Sequence, residues 1–145
     1  MKTKIGSFLI ILFILVLAGC DSPIGEESPY GNNVNQLEDV SIEFAENLYN
    51  PIDNYFELIT TNDSEEEITY GVGYTLDYLN EETWHIVKPN EEVSFILIAH
   101  ILEPNSESSE EINMTFYEPL NIGQYRLIRQ INDSILAAEF SVINP

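Results

Sequence analysis

Apolar and polar residues alternate with a period of two in several short segments of this 145-residue chain. The clearest cases are residues 40–44, 112–116 and 136–142. Such alternation places one face of a segment on a core and the other in water, as a half-buried β-strand requires. We therefore expect an all-β domain whose strands each bury one face.

Other segments of the chain also have the composition of strands. The longest is VSFILIAHIL at residues 93–102, where β-branched residues and flanking Pro-Asn turns favour a strand over a helix. Further strands are expected at residues 55–61, 68–79, 83–87, 125–131 and 135–143. Roughly seven to nine short strands separated by Asn- and Ser-rich turns predict an antiparallel β-sandwich. We expect Trp84 to fill its core or cap one end.

The sequence Asn-Ile-Gly-Gln-Tyr at residues 121–125 resembles the tyrosine corner of Greek-key sandwiches. In that motif a Tyr at the start of the penultimate strand returns its hydroxyl to nearby backbone. Gly123 would supply the turn and Tyr125 would open the strand at 125–131. The motif therefore predicts that the chain closes with two neighbouring strands.

The N-terminus has the features of an export signal. Lys2 and Lys4 precede an apolar run at residues 8–18, which is too short for a bilayer span of about 20 residues and suits a signal-peptide core. Leu-Ala-Gly-Cys at 17–20 resembles the lipobox of bacterial lipoproteins, which implies cleavage before Cys20, a diacylglycerol on its thiol and acylation of the new N-terminus. An uncleaved anchor, or a secretory signal in which Cys20 is incidental, is the alternative.

These features divide the chain into a signal peptide at 1–19, a lipidated Cys20 with a linker at 20–36, and a domain at 37–145. The linker is rich in Pro, Gly and Asn without periodicity, so we expect a disordered tether that lifts the domain off the membrane. After cleavage only Lys88, Arg126 and Arg129 oppose 25 acidic residues, a net charge of −22. That balance makes nucleic acid an improbable partner.

Several segments between residues 38 and 143 follow the motifs of one domain family. They are the turn into Tyr-Gly at 62–71, Tyr-Thr-Leu followed by Trp at 74–84, the Pro-Asn turn at 101–105, Gly-Gln-Tyr-Arg-Leu-Ile at 123–128 and Ala-Glu-Phe at 138–140. The chain thus resembles a bacterial immunoglobulin-like domain family of secreted and lipid-anchored proteins in Bacillus-type bacteria. The turns at 81–83 and 105 depart from the family pattern. The resemblance implies an immunoglobulin-like Greek-key sandwich outside the cytoplasm, and it carries no catalytic or ligand-binding residues.

The residues offer little support for catalysis, a metal or a cofactor. His85 and His100 are the only histidines, and a zinc site needs three or four ligands. Ser94 and His100 could be drawn into a triad, but no G-x-S-x-G elbow supports it, and a buried or edge histidine is the simpler interpretation. The carboxylates at 63 and 65–67 could bind Ca²⁺, although they lack EF-hand spacing and suit a solvated turn.

We therefore expect a non-enzymatic interaction module anchored through Cys20 on the outer face of a cell membrane, in a Gram-positive bacterium, with a protein partner of unknown identity. The alternative is a protease inhibitor that inserts the loop at residues 103–109 into a protease cleft, by analogy of fold. An enzyme is the third hypothesis. The acidity either keeps the domain soluble and away from anionic polymers or forms a docking surface for a cationic partner.

Overall fold

A computed structural model describes residues 23–52 and 56–143 of the chain. The signal peptide, Cys20 and Tyr55 lie outside the described residues. Within them the chain forms eleven β-strands and one short 3₁₀ helix, which confirms the all-β prediction. A search of the same residues finds no helix of the length and apolarity needed to cross a membrane.

The strands follow one another at short intervals along the chain. Their bounds are β1 Ile24–Glu27, β2 Val40–Phe44, β3 Leu48–Tyr49, β4 Glu57–Asn62, β5 Ile68–Gly71, β6 Thr75–Asn80, β7 Thr83–Val87, β8 Ala99–Leu102, β9 Ser106–Glu111, β10 Gly123–Ile131 and β11 Ser134–Val142. The number exceeds seven to nine partly because the expected strand at 68–79 is interrupted at residues 72–74. Residues 112–116 end in the 3₁₀ helix Met114–Phe116 instead of a strand.

Two sheets form the sandwich. The large sheet has eight strands in the order β1-β7-β6-β10-β11-β3, with β5 beside β10 and β8 beside β5. The small sheet has the order β2-β4-β9. The strands that these orders pair are antiparallel with one exception, since Ser141 of β11 lies opposite Leu48 of β3 in a parallel pair. The predicted β-sandwich is therefore confirmed, with one parallel pair at this edge among antiparallel strands.

The core lies between the two sheets and is aromatic at one end. The rings of Phe44 and Phe56 stack with their centroids 3.9 Å apart, and the Phe140 ring packs against both in an edge-to-face arrangement. Strand β2 buries every second residue, as its alternation predicts. Burial of these side chains supplies the main free energy that holds the sheets together.

The tyrosine corner is present. The Tyr125 hydroxyl donates a hydrogen bond to the carbonyl oxygen of Asn121 at 2.9 Å. Gly123 has a φ of +155°, and a Cβ placed on it would lie 2.5 Å from the Tyr78 ring, so only glycine fits this turn. Burial raises the pKa of Tyr125 to about 12.

Trp84 does not fill the core between the sheets. Strand β7 places it on the outer face of the large sheet, which is the face turned away from the small sheet. There the guanidinium carbon of Arg126 lies 4.4 Å from the centroid of the Trp84 ring. The expectation that Trp84 fills or caps the core is wrong, because it covers a buried charge on the other side of the sheet.

The prediction of a disordered tether before residue 37 is also wrong for residues 24–36. Strand β1 pairs with β7, with Ile24 opposite Val87. The following residues, 28–36, which we call the strap, cross the outer face of the large sheet. The strap begins where the Ser28 amide donates to the Trp84 carbonyl and ends at the free edge of β11, where Asn35 bonds the backbone of Ala137.

Candidate interaction surface

Both arginines of the described residues are buried and paired. Arg126 contacts the Asp77 carboxylate through Nε at 3.0 Å and Nη2 at 2.8 Å, and its Nη1 donates to the Gly31 carbonyl at 2.7 Å. The Ser28 hydroxyl donates to the same Asp77 oxygen at 2.7 Å. The strap therefore completes the hydrogen bonding of a charge pair whose side chains are 1–2% exposed.

Arg129 lies on the opposite face of β10, toward the core. It forms an ion pair with Glu110, and it donates to the carbonyls of Val72 and Gly73 at 3.3 Å and 3.4 Å. These carbonyls lie in the segment between β5 and β6, so Arg129 stabilises the break in the strand predicted at residues 68–79. A buried cation thus explains a local break that apolar alternation does not predict.

The pairing of both arginines leaves the outside of the domain anionic. In the described ranges 23–52 and 56–143, Lys88 is the only exposed Lys or Arg. The exposed carboxylates therefore have almost no cationic neighbours. The surface potential is correspondingly negative, and it favours the approach of cationic groups.

The most apolar segment after residue 20 lies largely at the surface. Within residues 93–102 only the last four form a strand, and the expected strand over residues 93–98 is absent. We call Ile96, Leu97, Ile98 and Ile101 the apolar patch; they are 67%, 104%, 48% and 62% exposed. Apolar residues scattered singly over a surface are ordinary, whereas a contiguous group marks an interaction site.

Local packing explains why this segment does not enter the core. Phe95 is its anchor, since its ring lies 5.1 Å from that of Tyr74. Beyond Phe95 the chain makes a tight turn in which the Ile98 amide donates to the Ile96 carbonyl at 3.0 Å. That turn directs the apolar side chains away from the sheet, and the chain then returns as the edge strand β8.

A groove of about 480 Å³ runs beside the apolar patch, between residues 69–73 and 95–99. Gly71 lies in its wall and faces the Ile98 carbonyl oxygen across the groove, since a Cβ placed on it would lie 3.8 Å from that oxygen. Next to it, the rings of Tyr70 and His100 stack with their centroids 5.4 Å apart. A groove of this size accommodates a few side chains of a partner.

The two histidines that are candidates for chemistry lie in different strands. His100 is an exposed residue of the edge strand β8, and His85 lies in β7 opposite Tyr78 and Glu27. Among residues 23–52 and 56–143, no group of three or more His, Cys, Asp or Glu is placed to hold a metal ion. The Ca²⁺ alternative at residues 63–67 therefore has no ligand set there. Cys20 lies outside the described residues.

The loop proposed for protease inhibition is mostly not a loop. Its residues 106–109 belong to β9 and pair along β4, with Ser106 opposite Asn62 and Ser109 opposite Ile59. Only the tight turn through Asn105, which has a φ of 51°, projects beyond the sheet. The prediction of an exposed loop over residues 103–109 is wrong, because residues 106–109 belong to strand β9. Along β9 the polar residues alternate between half-buried and exposed positions, so one face of the strand is in water.

Taken together, the two facing sheets and the tyrosine corner define an immunoglobulin-like β-sandwich. The family described as "Bacterial Ig-like domain" matches residues 36–141, and the chain belongs to this family. A search of curated proteins found no match. Strand β1 and most of the strap precede the matched residues.

One similar solved structure is the alkylpurine DNA glycosylase AlkC of Pseudomonas fluorescens bound to DNA containing an abasic site analog. The identity is 14% and the TM-score 0.38, over 73% of this chain and 31% of that one. The chain thus spans about a third of that protein.

Proposed function

We propose that this protein is a lipid-anchored, extracytoplasmic interaction module that displays an immunoglobulin-like domain and has no catalytic role. The observation that carries the proposal is the apolar patch beside an open groove on an otherwise anionic domain. A surface of this kind gains free energy when a partner removes it from water. The partner we propose is a protein.

Anchoring through Cys20 would hold the domain close to the membrane. The Pro23 carbonyl accepts a hydrogen bond from the Lys88 amide at 2.8 Å, so the chain is attached to the large sheet at that residue. Only three peptide steps separate Cys20 from Pro23, which is at most about 11 Å of extended chain. The proposed partner would therefore meet the domain near the bilayer surface.

A cell-fractionation experiment with photo-crosslinking tests the two halves of this proposal. Replacing Cys20→Ser should move the protein from membranes to the soluble fraction, and retention in membranes would contradict the lipid anchor. A photo-crosslinking residue at position 97 should give protein adducts, whereas the same residue at position 122 should not. Ile122 is the matched control because it is 63% exposed and directly precedes β10. It lies at the other end of β10 from Ile131, where β10 pairs with β5 near the apolar patch. Equal labelling at both positions would contradict an interaction role for the patch.

A further inference from the structure

The apolar patch and its groove are bordered by carboxylates, and we infer that they bind a cationic amphipathic segment of a partner protein. Such a segment presents apolar side chains between Lys or Arg residues. The inference rests on the proposed interaction function and specifies the chemistry of the partner.

The apolar part of the surface combines side chains with accessible backbone. Leu97 is fully exposed, and Ile96 and Ile101 are each more than 60% exposed. In the described residues β8 pairs only with β5, with Thr69 opposite Ile101. The other edge of β8 can therefore accept an added strand, whose alternate side chains would reach the apolar patch.

Acidic residues adjoin this surface at three points of the backbone. At the C-terminal end of β8, the Asn62 side chain donates to the carbonyls of Glu66 and Glu103 at 2.8 Å and 3.0 Å, so both acidic segments meet there. Asn132, which lines the groove, accepts from the Thr69 amide at 2.9 Å, and Asp133 follows it directly in the chain.

The third group of acidic residues lies in the segment that precedes the patch in the chain. Glu91 and Glu92 directly precede Val93, and both are exposed. Because Arg126 and Arg129 are buried in ion pairs, they do not screen these carboxylates from a partner. The apolar patch thus has exposed, unpaired acidic residues beside it in the fold and in the chain, and cationic groups flanking an apolar segment are complementary to them.

The other candidate occupants carry the wrong charge. The potential of an anionic lipid surface attracts Lys and Arg and repels carboxylates by the same field. A second copy of this chain would bring a second acidic border against the first, and like charges across an interface oppose association. A cationic protein segment is the occupant for which both apolar burial and electrostatics are favourable.

Binding of defined synthetic peptides to the full chain carrying Cys20→Ser tests the inference. The probes are a peptide of alternating Leu and Lys, one of alternating Ser and Lys, and one of alternating Leu and Glu. We expect the Leu/Lys peptide to bind at least about tenfold more tightly than either control. Its affinity should fall as NaCl is raised, because exposed charges are screened by salt.

The double variant L97Q/I101Q and the single variant Leu97→Gln should each weaken Leu/Lys binding, the double one by about tenfold or more. The matched control Ile122→Gln should leave it unchanged. Equal binding of the Leu/Lys and Ser/Lys peptides, or undiminished binding by both patch variants, would overturn the inference.

Vesicles separate this inference from the proposed function. Association of the Cys20→Ser chain with phosphatidylglycerol vesicles that is lost in L97Q/I101Q, without a preference for the Leu/Lys peptide, would identify a lipid surface and overturn the inference. A soluble wild-type protein in cell fractions would instead contradict the lipid anchor, and it would leave the peptide result unaffected.

Discussion

Two segments of this chain lie where their hydropathy would not place them, since a polar segment is bound to the sheet and an apolar segment is exposed. The strap at residues 28–36 is polar and rich in Asn, yet it is hydrogen-bonded across the outer face of the large sheet. Residues 93–98 are almost wholly apolar, yet Leu97 is fully exposed. The difference shows that specific partners, more than average hydropathy, decide which segments this sandwich takes in.

The partners of the strap are buried polar groups of the sheet whose hydrogen bonding the sheet alone leaves incomplete. Arg126 needs acceptors beyond Asp77, and the Gly31 carbonyl supplies one at 2.7 Å. The apolar segment has no equivalent requirement to meet. The small sheet has three strands against eight in the large one, so it cannot cover all of the large sheet's edge strands.

Removing Asp77 gives the largest expected effect on the strap. In Asp77→Ala the Arg126 guanidinium remains buried without its counter-charge, and breaking such a pair costs about 3–5 kcal/mol. Urea unfolding of the variant and the wild type measures the loss. Glu82→Ala, at an exposed hairpin position, is the control and should unfold like the wild type. A loss below about 1 kcal/mol for Asp77→Ala would mean that the strap is not held by this network.

Ser28→Ala tests the contribution of the strap itself. The Ser28 hydroxyl donates to Asp77 at 2.7 Å and is buried, and a hydrogen bond to a charged group contributes about 1.5–3 kcal/mol. We expect a loss of about 2 kcal/mol in urea unfolding. Faster amide hydrogen exchange at residues 24–36 should accompany it. Ser41→Ala, on the exposed face of β2, should change neither quantity.

The sequence predicts the strands that have a regular pattern and a common core. Strand β7 has the predicted bounds, β10 and β11 begin within two residues of theirs, and the Tyr125 corner is correct. The strap and the position of Trp84 are not predictable from alternation. They depend on Arg126, whose partner Asp77 lies 49 residues away in the chain.

The candidate site is missed for a related reason. Hydropathy assigns residues 93–98 to the core, and only the turn at Ile98 and the packing of Phe95 place the following side chains outside. A signal was present in the sequence, since Glu91 and Glu92 precede the run and Glu103 follows it. Acidic residues bordering an apolar segment on both sides are consistent with an exposed site.

Tyr125 serves as a comparison residue, because its tyrosine corner is a feature that the sequence predicts correctly. Tyr125→Phe keeps the ring and removes the hydrogen bond to Asn121, at an expected cost of about 1 kcal/mol. Burial raises the native pKa of Tyr125 to about 12, above its ordinary value of 10.0. Its contribution is therefore complete below pH 10 and is lost as the pH rises toward 12.

Unfolding measured between pH 9 and pH 12, with tyrosinate absorbance followed in parallel, checks this dependence. The wild type should lose stability more steeply than Tyr125→Phe across that range. Identical pH profiles would show that the hydroxyl of Tyr125 ionises without a folding cost.

Leu97→Gln should give the smallest change in stability, although it alters the most apolar segment after residue 20. Leu97 is 104% exposed, so the folded and unfolded states expose this side chain to a similar extent. The free energy of unfolding should therefore stay within about 0.5 kcal/mol of the wild type. Phe95→Ala is the contrasting variant, because Phe95 packs on Tyr74 and its removal should destabilise the fold. A large loss for Leu97→Gln would place this side chain in the core in solution and would remove the basis for an interaction site at residues 96–101.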